Sequence, residues 1–250
     1  MNSKPSLYFL TFALLTTILA PTSYAGPTSK IEKLAPCGPE TKVGELCLGD
    51  LNELLPKQGA LGYISVETKE KNLENKSKKD FSKYIYENPI PFVLGPHNTL
   101  HPVDHHHDGA AILKDGKRYA VFKMVKNWSR LTDAAFRAQM IANHFVYLFD
   151  ENGKPITFDQ LPLRLQDMPD DPYRSLSGAI RDAGGYTKKE TDYFIEFIWA
   201  NFYRDLKGDN AISREDIDHH FKKTVKKALK IAHSSLSRGL PGRTCTDKMH

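Results

Sequence analysis

The spacing of apolar residues changes several times along this chain, and each change predicts an element. Phe81, Tyr84 and Ile85 fall at i, i+3 and i+4 within a highly charged stretch, predicting a helix within residues 67–86 that Pro89 and Pro91 stop. Residues 90–94 and 100–103 are short apolar runs around the turn Gly95-Pro96-His97-Asn98 and read as two strands, with residues 43–51 apolar enough for an earlier one. A helix over 106–113 follows, closed by Lys114-Asp115-Gly116, and residues 119–125 alternate well enough for a strand. Residues 132–143 predict a helix capped by Thr132 or Ser129. Residues 144–149 and 155–158 flank Asp150-Glu151-Asn152-Gly153, a hairpin signal.

Beyond residue 170 the pattern turns helical. Asp171 is placed as an N-cap with Pro172 in the first helical position, and Gly184-Gly185 stops that helix. Thr187 and Glu190 form a capping box for a helix that is apolar nearly all round, through Phe194, Phe197, Trp199 and Tyr203. Ser213 and Asp216 cap a third, striped at Ile217, Phe221, Val225 and Leu229, with lysines on its other face. Interleaved strands and helices followed by helices alone predict an α/β (α+β) fold: a mixed-sheet domain over 43–165 and a helical C-terminal region over 166–237 packed on it. An arm over 26–42 precedes them and a tail over 238–250 follows.

The first 25 residues read as a signal peptide, with Lys4 in the charged segment, an uncharged apolar run over 7–20, and the small-residue site Ser23-Tyr24-Ala25 before Gly26. An uncleaved anchor is the competing reading. The expectation is an exported chain, periplasmic or secreted, with no transmembrane segment after cleavage. Loss of Lys4 with the leader takes the formal net charge from +5 to +4, mildly basic, which permits phosphate or anionic partners without requiring them. The lysines of 69–83 and 222–230 read as solvated helix faces. Export makes disulfides plausible for Cys37, Cys47 and Cys245, and the odd count leaves one thiol over, with the pairing open.

Candidate chemistry concentrates at Asp104-His105-His106-His107-Asp108. With His97 and His101, five of the ten histidines fall within eleven residues. Three readings fit. His105 and His107 on one strand face could bind a divalent metal ion, completed by His101 or Asp104. Alternatively, unsatisfied N–H groups at a helix start attract phosphate, with a histidine moving a proton, Asp104 orienting it, and Gly109 keeping the turn small. In the third, Asp104 simply caps a helix and one histidine is buried.

Leu94-Gly95-Pro96, residues 100–103 and Asp104-His105-His106-His107 resemble the central motif of the ParB-like nuclease family, in the branch that shares a fold with sulfiredoxin. Leu55-Pro56-Lys57-Gln58 with Gly62-Tyr63, residues 170–176, Ala183-Gly184-Gly185-Tyr186 and Phe197-Ile198-Trp199-Ala200 resemble its other signatures. The resemblance implies a ParB/sulfiredoxin-like domain whose histidine segment opens a helix over a phosphate pocket, with nucleic acid or nucleotides as partners. By position it implies phosphate contacts from Asp104, His106 and His107, with Pro56 and Gln58 lining the same pocket. Two departures stand out: His105 replaces a glycine, and His107 stands where arginine is usual. Arg174 and Arg181, seven apart on one helix face, are further phosphate candidates. The function expected is an exported nuclease or phosphodiesterase acting through Asp104, His105, His106 and His107, with a divalent metal ion as candidate cofactor. The alternatives are a non-catalytic periplasmic protein that binds nucleotide, phosphate or metal, and an exported interaction protein that keeps only the fold.

Overall fold

The computed structural model describes residues 30–189 and 192–244. Its sheet contains β1 (Leu46–Asp50), β2 (Ile90–Leu94), β3 (Leu100–Pro102) and β4 (Tyr119–Asn127), in the order β1-β4-β2-β3. The central pair, β2 and β4, is parallel and both outer pairs are antiparallel. β2 and residues 120–122 of β4 are apolar runs because both faces are covered there, whereas Lys123 of β4 is exposed. Phe92 and Leu94 enter one core with Leu73, Ile112, Phe122 and Leu165, beneath α1 (Tyr63–Glu74), α2 (Lys78–Glu87) and α3 (His106–Lys114). Val93, pointing the other way, packs with Val103, Phe136, Met140 and Phe145 at α4 (Asp133–Ala142).

The C-terminal helices α5 (Pro172–Asp182), α6 (Ile195–Asp205) and α7 (Arg214–Ala232) enclose a further core around Leu176, Ile180, Trp199, Tyr203 and Ile217. Trp199 is fully buried and stacks on Tyr186 with ring centroids 4.5 Å apart. Its indole N–H donates to the Pro241 carbonyl at 2.9 Å. Asp171 caps α5 with Pro172 in the first turn, and Ser213 and Asp216 form a capping box on α7, as their spacing predicts. Cys37 and Cys47 form a disulfide that fastens the N-terminal arm to β1.

Four expectations need correction. The single helix within 67–86 is two, broken where Asn75 ends α1 and Ser77 caps α2. The hairpin expected at 144–158 reduces to one isolated bridge, Phe149 to Pro155, because the flanking chain bonds elsewhere, as in Tyr147 N–H to the Lys57 carbonyl. The helix expected from Thr187 begins at Ile195, after a left-handed Phe194. The strand face that the metal reading needs is absent, because the helix expected over 106–113 forms and the three histidines occupy the cap and first turn of α3. The segment expected to be a signal peptide, Glu190 and Cys245 lie outside the described residues.

The α/β part and the helical part meet where α1 starts against α5. The Leu61 N–H donates to Pro169 at 2.9 Å, and the Asp171 N–H donates back to Leu61 at 2.6 Å. Gly62 then passes so close to α5 that a Cβ would stand 2.6 Å from the Ser175 backbone nitrogen. Only glycine permits that approach. Gly62→Ala is therefore expected to lower stability by about 2–4 kcal/mol, read as a lower urea midpoint at unchanged slope. Gly38→Ala, where the added methyl meets open space, should change it by less than about 0.5 kcal/mol.

Candidate active site at the start of α3

β3 delivers the chain to Asp104, whose Oδ1 accepts the His105 N–H at 2.8 Å. His105 is the N-cap of α3 and adopts a left-handed backbone, φ 61 and ψ 22. A side chain there costs about 1 kcal/mol relative to glycine.

The turn directs the next two imidazoles inward. His106 and His107 are buried, and each uses Nε2 to accept a backbone N–H from the segment before α1. The Lys57 N–H donates to His106 at 3.1 Å and the Gly62 N–H to His107 at 2.9 Å. An accepting nitrogen must be unprotonated. Burial enforces that state, pushing His106 down to about 3 and holding His107 well below the usual range. Asp108, one residue on, accepts Lys69 Nζ at 2.8 Å and the Tyr84 hydroxyl at 2.5 Å, tying α1 and α2 to α3. Burial would raise its carboxyl, but Lys69, His105 and the Tyr84 hydroxyl together outweigh it and lower the pKa.

In front of this turn lies a hollow of about 570 Å³, lined from the α3 side by Asp104, His105, His107 and Asp108. Lys69, Arg174, Arg181, Lys188 and Glu196 line its other walls. A second hollow of about 580 Å³ adds Lys123 and Lys189 and shares Asp104, His105, Arg181 and Lys188 with the first, so the two form one groove. Glu196, 1% exposed, is its electrostatic centre. Arg181 Nη1 bonds its Oε1, with Lys188 Nζ at 3.2 Å and Arg174 Nη2 at 3.9 Å. Burial would raise Glu196, but those three cations hold it below the usual carboxylate range. Lys188 also reaches Asp104 Oδ2 at 2.8 Å. Asp104 would likewise rise on burial, but Lys188 and His105 pull it to about 2. Arg174 lies 5.3 Å above the Phe197 ring, and its buried Nε has no partner among the described residues.

The profile of a family described as "Putative ParB-like nuclease" matches residues 48–205. The chain belongs to that family. The crystal structure of protein Atu1540 from Agrobacterium tumefaciens is similar to this ParB-like chain, with 32% sequence identity and a TM-score of 0.72. The similarity covers 81% of this chain and 99% of that one. Among curated proteins none matches the sequence.

This ParB-like fold sorts the sequence candidates. Asp104, His105, His107 and Arg174 line the groove, whereas His106 is enclosed behind it. Pro56, Gln58 and Gly109 lie outside it. The Pro56 carbonyl accepts Lys57 Nζ, the Gln58 amide donates to Ala60 at 2.7 Å, and Gly109 packs against Leu165 and Leu51. The metal set expected from His101, His105 and His107 does not assemble. His101 turns away to Thr99 Oγ1 at 2.7 Å and to the Phe136 ring, while His107 is fastened to Gly62. Among the described residues no three His, Cys, Asp or Glu side chains are grouped to hold an ion. Lys69, read as part of a solvated face, belongs to the groove, and Glu196 and Lys188 escaped notice. A carboxylate inside an all-round apolar helix was the available signal, since buried charge demands partners.

The buried histidines predict the acid response. Unfolded imidazoles titrate near 6.5, whereas His106 takes its proton only near 3. Between those values the unfolded chain binds the extra protons, so stability falls as pH drops below about 6.5, by up to about 1.4 kcal/mol per pH unit for each such histidine. Urea midpoints at pH 5 and pH 7 check this, and equal midpoints would refute it. His107→Ala, which strands the Gly62 N–H and opens a void, should cost about 2–4 kcal/mol in the same measurement at pH 7.

Proposed function

We propose that this protein is an exported ParB-like nuclease or phosphodiesterase that seats nucleic-acid or nucleotide phosphates in the Asp104–Lys188 groove. The observation that carries the reading is the meeting of Arg174, Arg181 and Lys188 around one buried carboxylate, with a buried Arg174 N–H left unpartnered. Guanidinium groups suit phosphate because their donors are planar and paired. In this reading α5 supplies the permanent cations that the motif lacks where His107 replaces arginine. His105 is the proton-transfer group, since it lines both hollows and its ring makes no hydrogen bond among the described residues. Its strained backbone is consistent with a side chain retained for use. Export is supported by the leader-like N-terminus and by the Cys37–Cys47 disulfide, a bond of oxidising compartments.

A second reading, a non-catalytic phosphate-binding module, is favoured by the commitment of His106 and His107 to structural bonds. One experiment separates the two. Labelled single-stranded DNA and RNA are titrated into the mature chain, and hydrolysis of both and of bis(p-nitrophenyl) phosphate is followed with and without Mg²⁺, Mn²⁺ or Zn²⁺. Arg181→Ala is expected to weaken binding about tenfold and to reduce the salt slope by about one. His105→Ala should retain binding and lose turnover. Binding without turnover in every arm supports the module, and absence of binding overturns both readings.

A further inference from the structure

A cavity of about 290 Å³ shares no lining residue with the groove. The turn between β2 and β3 builds one wall with Thr99 and His101, α4 another with Phe136 and Arg137, and Phe158 and Lys57 complete it. Lys57 is the unexpected member. Its backbone N–H is held by His106, and Pro56, Gln58, Gly59 and Ala60 around it are all buried, so the side chain runs inward and is 5% exposed. Its Nζ donates to the Pro56 carbonyl at 3.0 Å and lies 5.1 Å from the Phe158 ring centroid.

No carboxylate among the described residues pairs with Lys57. Arg137 stands over the same ring, also at 5.1 Å, and is itself paired with Asp159. The other titratable groups on the cavity wall are His97, His101 and Asp133. Burial keeps His101 neutral. An ammonium with three donors, one acceptor and a guanidinium for a neighbour is poorly held. Burial, reinforced by Arg137, pushes Lys57 down to about 7.

We propose that this cavity is a ligand site of its own, in which Lys57 Nζ captures a small aldehyde or ketone as an imine. The nitrogen lone pair attacks the carbonyl carbon and a proton passes from nitrogen to oxygen. The carbinolamine C–O bond then breaks, the hydroxyl leaving with the remaining nitrogen proton as water, and the nitrogen lone pair forms the C=N bond to Lys57. A desolvated amine beside a cation is the arrangement that activates lysine for this step. The inference is independent of the phosphate groove.

The test uses the full chain with glyoxylate and sodium cyanoborohydride at pH 7.5, which reduces any imine to a stable amine mapped by peptide mass spectrometry. Lys57 is expected to be labelled at least about tenfold faster than the exposed Lys226 and Lys230 of α7, because far more of it is unprotonated. Its labelling rate should level off above pH 7, while theirs keeps climbing beyond pH 9. Lys57→Met should abolish the fast site and leave slow labelling unchanged. Labelling of Lys57 no faster than that of the surface lysines, or only after unfolding in urea, would overturn the proposal.

Discussion

Two neutral imidazoles accepting two backbone N–H groups hold this protein's architecture in place. The stretch from Lys57 to Gly62 is irregular and buried, so its donors need acceptors that the sheet does not provide. His106 and His107 supply them from the first turn of α3. That is possible because the left-handed backbone at His105 rotates both rings toward the segment. Once the segment is pinned, α1 starts at Gly62 against α5, and the helical region closes over the sheet domain. A motif that looks chemical is in large part structural.

The groove's charges come from elsewhere. α5 contributes Arg174 and Arg181, the loop after it Lys188, α1 Lys69 and α6 Glu196. In a partly desolvated setting Glu196 orients three cations at once, while Asp104 shares Lys188 and Asp182 shares Arg181. Asp104 shares Lys188 from the rim, which joins the histidine turn to the C-terminal helices. On the proposed reading, an incoming phosphate would meet side chains already aimed and already deprived of part of their water, so little ordering entropy would be lost on binding. No arginine stands in the α3 motif, yet guanidinium groups stand in the same hollow, delivered by a different helix.

Lys57 poses the converse case. Its main chain belongs to the structural staple, and its side chain opens into a separate cavity in which no carboxylate among the described residues pairs with it. A fold selected only for stability would gain by replacing such an ammonium with an apolar group of similar volume.

Sequence by itself determined what depends on neighbours along the chain. The strands at Ile90–Leu94 and Leu100–Pro102, the caps Thr132, Asp171 and Ser213, the burial of the Trp199 helix and the family membership were all legible, because periodicity, capping and motif spacing are local. Tertiary structure alone decided which histidines are staples and which line the groove. It also decided that Pro56, Gln58 and Gly109 pack inside, and that Glu196 gathers cations from two elements. The hairpin at 144–158 failed for the same reason, since the Tyr147 N–H found the Lys57 carbonyl, ninety residues upstream, in place of a neighbouring strand. A side chain's protonation and accessibility are set by what is brought against it from distant sequence, and no local pattern encodes that.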